Sequence, residues 1–228
     1  MGATLALLLV AANFTARVVD QDTGELRFLL RHDEEVVDGR LHVRETYRYP
    51  TLAAAQADGM SDLVANTEEA FLQGGELLLY TIEQRQRDQH GVIEIDGGTV
   101  YYTWISGPER KQKQAKLTDR LAVPSSAAGM LAELWSQLIA GKTATAHLAV
   151  VSELDDFGFE LKREDADKPG ETRVRVKPTN PVIALFAPRL FLRFASRDGK
   201  VVSYHGPLNL AKRDGKGWRT LFADVFVE

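Results

Sequence analysis

Along most of the chain apolar residues recur at every second position, and the runs are cut by Gly- and Asp-containing turns, the pattern of antiparallel β structure. Segment 25–37 opens with Glu25-Leu-Arg-Phe-Leu-Leu and leads into Asp38-Gly39, a tight-turn pair. Beyond it Leu41, Val43, Tyr47 and Tyr49 point one way while Arg40, His42, Arg44 and Arg48 point the other. That phase predicts a hairpin with one apolar face and one basic, solvated face. Gly74-Gly75 separates 63–72 from 76–87, and Asp96-Gly97-Gly98 joins 92–95 to 99–106, two further hairpin signals. In the second half, strands are predicted at 144–151, 157–164, 172–177, 190–196, 200–205 and 218–227, with turn residues between them.

Three regions break the alternation. Residues 52–60 are Ala-rich and read as an inserted helical turn. Residues 63–72 fit both a strand and a helical stripe, and the Gly pair that follows favours the strand. The clearest helix has Met130, Leu131, Leu134, Trp135, Leu138 and Ile139 at steps of three and four, Ser125 or Ser126 to cap it, and Gly141 to stop it. The predicted fold is mainly β: a strongly curved, half-barrel-like antiparallel sheet with this one principal amphipathic helix packed against it. No repeat or linker divides the chain, so 13–228 reads as a single β-rich domain.

Residues 3–12 are uncharged and apolar, about the length of a signal-peptide core. Val10 and Ala12 suit the −3 and −1 positions of a cleavage site, although no basic residue precedes the run. The expectation is a periplasmic or secreted protein, and mass spectrometry of material from its native host is expected to find Asn13 at the N-terminus. An intact Met1 would refute it.

Composition narrows the chemistry. With 44% apolar and 26% charged residues the chain is ordinary globular material. The absence of Cys excludes a cysteine nucleophile, a thiolate metal site and an iron–sulfur cluster. A net charge of −4 argues against general nucleic-acid affinity, which needs a basic footprint. No apolar run approaches the roughly 20 residues of a spanning helix.

Catalytic strings are missing as well. Gly141-Lys-Thr143 follows a helix instead of a strand and lacks the upstream Gly of a phosphate loop. The five His are scattered; His32-Asp33-Glu34-Glu35 is the densest ligand group, but strand geometry lets at most two of those four converge, and the segment reads as a polar strand end. Asp155-Asp156 and Asp165/Asp167 lack the ligand ladder of an EF-hand and read as turns. Gly-x-Ser-x-Gly is absent; Ser203 and His205 lie two apart on one strand face, while Ser125-Ser126 and Asp224 are not placed in space by the sequence. Glu83 and Glu94 on neighbouring strands read as solvent-facing charges. Arg40, Arg44 and Arg48 with Arg173, Arg175 and Lys177 read as a solvated basic face, and 110–116 as an exposed loop or ribbon tip. Neither a catalytic residue nor a metal or cofactor is assigned.

The apolar surplus is more informative. Tyr101, Tyr102, Trp104 and Ile105 make a strand apolar on both faces, and 181–188 is an apolar connector where a polar loop is expected. These segments either complete the core with the Trp135 helix or leave a concave, mostly apolar sheet-and-helix cleft whose candidate lining is Tyr102, Trp104, Met130, Leu134, Trp135 and Leu138.

Tyr47-Arg-Tyr49, the segments 75–84, 91–97 and 135–141, and Tyr204-His-Gly206-Pro before the hairpin into Trp218 carry a resemblance of pattern and order. Over 14–228 the chain resembles the half-barrel fold of periplasmic lipoprotein carriers and of secreted bacterial domains with that architecture. The resemblance implies a non-catalytic carrier holding acyl chains between sheet and helix. Two alternatives stand beside it: an interaction domain with a filled core, using a sheet edge or basic face, and a hydrolase whose site the sequence does not assemble.

Overall fold

The computed structural model describes residues 13–117, 119–165, 168–186, 190–197, 199–215 and 217–228. The proposed export signal at 1–12, Asp167 and the end of the 181–188 connector lie outside the described residues.

The chain runs through β1 (Phe14–Asp20), β2 (Leu26–Val37), β3 (Arg40–Arg48), α1 (Leu52–Ala57), β4 (Val64–Gln73), β5 (Glu76–Gln84), β6 (Gln89–Asp96), β7 (Thr99–Ser106) and β8 (Glu109–Lys116). It continues through β9 (Leu121–Ala122), α2 (Ala127–Ile139), β10 (Ala144–Val150), β11 (Asp155–Glu164), β12 (Glu171–Pro178), α3 (Pro181–Phe186), β13 (Leu190–Ala195), β14 (Val201–Asp214) and β15 (Gly217–Val227). All fifteen strands join one sheet in the order 8-7-6-5-4-3-2-1-15-14-13-12-11-10-9. Every pairing is antiparallel except β9 with β10, and the sheet is not closed. It is a large, mostly β assembly with one principal helix, compatible with a half-barrel.

The predicted phases explain the elements. In β3, Val43, Tyr47 and the following Tyr49 are buried while Arg40, Arg44 and Arg48 are exposed. Asp38 and Gly39, at φ 51° and 75°, supply the left-handed pair that a two-residue hairpin requires. Segment 63–72 is a strand, as its Gly pair indicates. Helix α2 ends as its sequence predicts: Gly141 N–H donates to Leu138 O and Lys142 N–H to Gln137 O, with Gly141 at φ 74°. Its start differs from expectation. Ser126 stands at the cap, but its hydroxyl engages Val123 instead of the helix N–H groups.

Two further segments depart from their predicted form. The apolar stretch after Asn180 makes a short helix, α3, begun by Asn180 Oδ1 accepting from the N–H of Val182 at 2.9 Å. Residues 110–116 belong to a full edge strand, β8, because pairing with β7 outweighs their polarity.

The sheet curls until distant strands touch: β9 meets β5, β14 meets β4, and the 3-10 turn Pro124–Ser126 packs on β3 and β4. Three clusters of buried side chains fill the inner side. One lies between β3–β7 and Leu121, Val123, Ala149 and Val151; one between β1–β4, α1 and β14–β15; one between α2 and β10–β13.

Candidate functional site

The six residues predicted to line one cleft divide between two clusters. Tyr102 and Trp104 are buried in the β3–β7 cluster, Tyr102 with 1% of its surface exposed. Met130, Leu134, Trp135 and Leu138 pack on Ala144, Ala146, Leu161, Val174 and Phe194, with the Trp135 ring 5.0 Å from that of Phe194. Beside this contact a groove of about 190 Å³ keeps Met130 and Leu134 together with Ala146 on its floor. Its rim is polar: Asp119, Thr145, His147, and an Arg120 guanidinium bound to Glu133 and to the carbonyl of Gly75.

A second groove, about 230 Å³, lies on the opposite face of the sheet, lined by Arg173, Phe191, Arg193, Ser203, His205 and Asp224. Register brings the last two together, since His205 and Asp224 are cross-strand partners. His205 Nδ1 lies 2.7 Å from Asp224 Oδ1 and 3.0 Å from Gln21 Nε2. The orienting half of a triad is therefore present. The nucleophilic half is not, because no hydrogen bond joins Ser203 to His205 among the described residues, and acyl transfer needs that proton path.

Other weighed groups separate. Glu83 pairs across strands with His90 and Glu94 with Leu79, so these two carboxylates do not face one another. Asp155 engages Lys113 and Asp156 engages His147 Nδ1 at 2.8 Å. Among the described residues no three His or acidic groups are placed to hold a metal ion.

The most unusual chemistry is inside the sheet. The inner row across β1–β5 reads Phe14, His32, Glu45, Glu68 and Ile82, each opposite the next. Phe14 stacks on the His32 ring at 4.4 Å. His32 Nδ1 lies 3.0 Å from Glu45 Oε1 and its Nε2 3.2 Å from Glu34 Oε1. Tyr47 donates to Glu45 Oε2 at 2.9 Å. Glu68 accepts from Tyr80 at 2.8 Å, Asn66 at 3.2 Å and Asn209 at 3.3 Å.

Burial alone would lower the His32 value, but the hydrogen bonds to Glu34 and Glu45 outweigh it and push it up to about 9. Glu68 moves the other way in effect. Burial, then the charge of Glu45, raises its carboxyl to about 7 despite its three donors. Burial and the same carboxylates also push Tyr47 and Tyr80 well above the ordinary phenol value.

Sequence reasoning singled out His32 and Glu34 but read them as a polar strand end, whereas His32 is buried; Glu45 and Glu68 it missed. The available signal was their phase: Glu45 shares its strand face with Val43 and Tyr47, and Glu68 with Asn66 and Ala70.

A fourth feature is the sheet's β8 edge. Seven of its eight residues are exposed, and its single strand partner among the described residues is β7. The N–H of Leu117 donates to Gly98 O just past the Thr99–Lys116 pair. Alternation along an antiparallel ladder then turns the backbone groups of Arg110, Gln112, Gln114 and Lys116 away from β7. The strand carries four cations, Arg110, Lys111, Lys113 and Lys116, against the single carboxylate of Glu109. No protein-family model, no curated protein and no solved structure matches this chain.

Proposed function

We propose that the chain is a non-catalytic interaction domain whose partner adds an extended, acidic strand to β8. The observation that carries this reading is the outward row of backbone donors and acceptors along β8, set among four cations. Strand addition draws its affinity from main-chain hydrogen bonds, and alternate side chains give selectivity. The same cations oppose pairing of β8 with a second copy of itself. Burial of Tyr102, Trp104 and Leu138 against other side chains supports recognition on the outside of the molecule.

A second reading, an exported carrier of an apolar or acyl ligand related to the periplasmic lipoprotein carriers, is favoured by one observation. Met130, Leu134 and Ala146 form an apolar groove floor beside α2. At about 190 Å³ that groove is smaller than most small-molecule sites, which run from roughly 300 Å³ upward.

The test uses an alternating Val-Glu octapeptide and its Val-Lys counterpart, followed by amide chemical shifts of the full protein. Binding of the acidic peptide is expected at Arg110, Gln112, Gln114 and Lys116, weaker at high salt. It is expected to vanish in Gln114→Pro, which removes one outward N–H and leaves the β7 ladder intact. Equal binding of the basic peptide, or undiminished binding to Gln114→Pro, would overturn the proposal. Lipid found by native mass spectrometry after detergent-free purification would favour the carrier instead.

A further inference from the structure

We propose that Glu68 is a proton-controlled latch on the seam where the bulge of β14 closes against β4. The pairing of β14 with β15 is interrupted between Pro207 and Ala211, so residues 208–210 stand outside the ladder. Side chains of the other half of the sheet hold this stretch instead. Asn209 Nδ2 donates to Glu68 at 3.3 Å, and Asn209 O accepts from Gln84 at 2.8 Å and from Asn66 at 3.4 Å. Gln86 Nε2 donates to Ala211 O at 2.8 Å and its Oε1 accepts from Ala211 N–H at 3.0 Å.

The groups facing Glu68 come from every neighbouring element. They are Glu45 and Tyr47 on β3, His32 on β2 with Glu34 beyond it, Asn66 on β4, Tyr80 on β5 and Asn209 on β14. The turn Pro124–Ser126 that packs on β3 and β4 adds no titratable side chain. An acid at Glu68 needs an acceptor for its proton. Tyr80 Oη, 2.8 Å from Glu68 Oε2, becomes that acceptor when its own hydroxyl hydrogen turns away, and the bonds of Asn66 and Asn209 to the other oxygen stay in place.

When Glu68 releases its proton to solvent, a second negative charge stands opposite Glu45 in a dry interior. β3, β4 and β5 are tied by ladders on both sides, whereas the bulge is held by these side-chain bonds and by the packing of Leu208 and Leu210. Letting water in beside the bulge is the relief that breaks no ladder. The closed seam raises the Glu68 value above that of an open, hydrated carboxyl. Closure is therefore strongest at low pH and is lost as pH rises towards 7. His32 sits across Glu45 from Glu68 in the row, and its own stabilisation is lost as pH climbs from 6.5 through about 9, a change that Glu68→Gln retains.

The experiment is hydrogen exchange of the full protein between about pH 5 and 7.5, each rate divided by its intrinsic chemical rate. Opening at 208–211 is expected to rise about tenfold or more over that range, while β3–β5 amides stay protected. Glu68→Gln is expected to keep the seam closed throughout; Asn209→Ala is expected to leave it open throughout. A pH-independent seam in the wild type would overturn the latch. So would an equal rise in Glu68→Gln, or a rise spread evenly over β3–β5. If Glu68→Gln does not fold, the carboxyl ¹³C shift of Glu68 in the wild type decides. Titration in the ordinary glutamate range rejects the proposal.

Discussion

Lys212→Ala is expected to lower the unfolding free energy by about 3–5 kcal/mol, the scale on which a buried ion pair fails when one partner is removed. Lys212 is 5% exposed and Asp20 2%, so neither group has water to fall back on. The ammonium lies 2.7 Å from both oxygens of Asp20 and 2.7 Å from Asp22 Oδ2. Burial pulls the Lys212 value down, and the bonds to the two aspartates more than reverse it. Taking the lysine away strands the Asp20 carboxylate where its remaining contact is a turn, the N–H of Asp22 at 2.8 Å.

The pair also spans structure. Asp20 ends β1, Lys212 lies on β14, and β15 runs between them. Urea denaturation checks the expectation. Asp20→Asn combined with Lys212→Met is expected to cost less than Lys212→Ala alone, because no charge is left unpaired. A loss below about 1 kcal/mol for Lys212→Ala would place this ion pair with ordinary surface pairs.

The second large effect is steric. Gly91 faces the inner side of β6 between Ile82 and Trp104, its cross-strand partners. A Cβ there would come 2.6 Å from Val151 Cγ1, 2.8 Å from Ile82 Cγ2 and 3.0 Å from Trp104 Cε3. Gly91→Ala is therefore expected to destabilise the protein by about 2–3 kcal/mol, the range for overpacking a filled core. Val151 sits in the 3-10 turn Val151–Glu153 at the tip of the β10–β11 hairpin, which presses on β6 and β7. Adding Val151→Ala to Gly91→Ala is expected to restore about 1 kcal/mol, a coupling that a double-mutant cycle reads directly. Additive losses would show that the clash is relieved elsewhere.

Much of the sheet was legible because period-two alternation and turn chemistry act locally. Leu41, Val43 and Tyr47 declared the inner face of β3, and Asp38-Gly39 declared its hairpin. The 13-residue α2 was legible for the same reason, from its Leu and Trp spacing and Gly141. Partnership across the seam was not. Nothing local tells that Gln86 will bond to Ala211 or that Asn209 will reach Glu68, since those contacts depend on how a sheet curls.

The predicted cleft separated for that reason too. Tyr102 and Leu134 are both apolar and both face inward, but the tip of the β10–β11 hairpin and Leu121 and Val123 share the inner space with Tyr102, and α2 takes its own part. Glu45 was overlooked because an acid in an apolar phase reads as an exception until its partners are seen.

The order of strands has a consequence for how the molecule assembles. Among the described residues thirteen of the fourteen strand pairings join neighbours in sequence; β1 with β15 is the exception. Within each half the pairings close local connections at small entropic cost, the longest being the crossover through α2 between β9 and β10, and the long closure is concentrated in one step. On a ribosome, β1 waits with one edge unpaired until residues 217–227 have emerged. Because β1 lies at the centre of this sheet, its pairing with β15 is the step that turns two sheets into one.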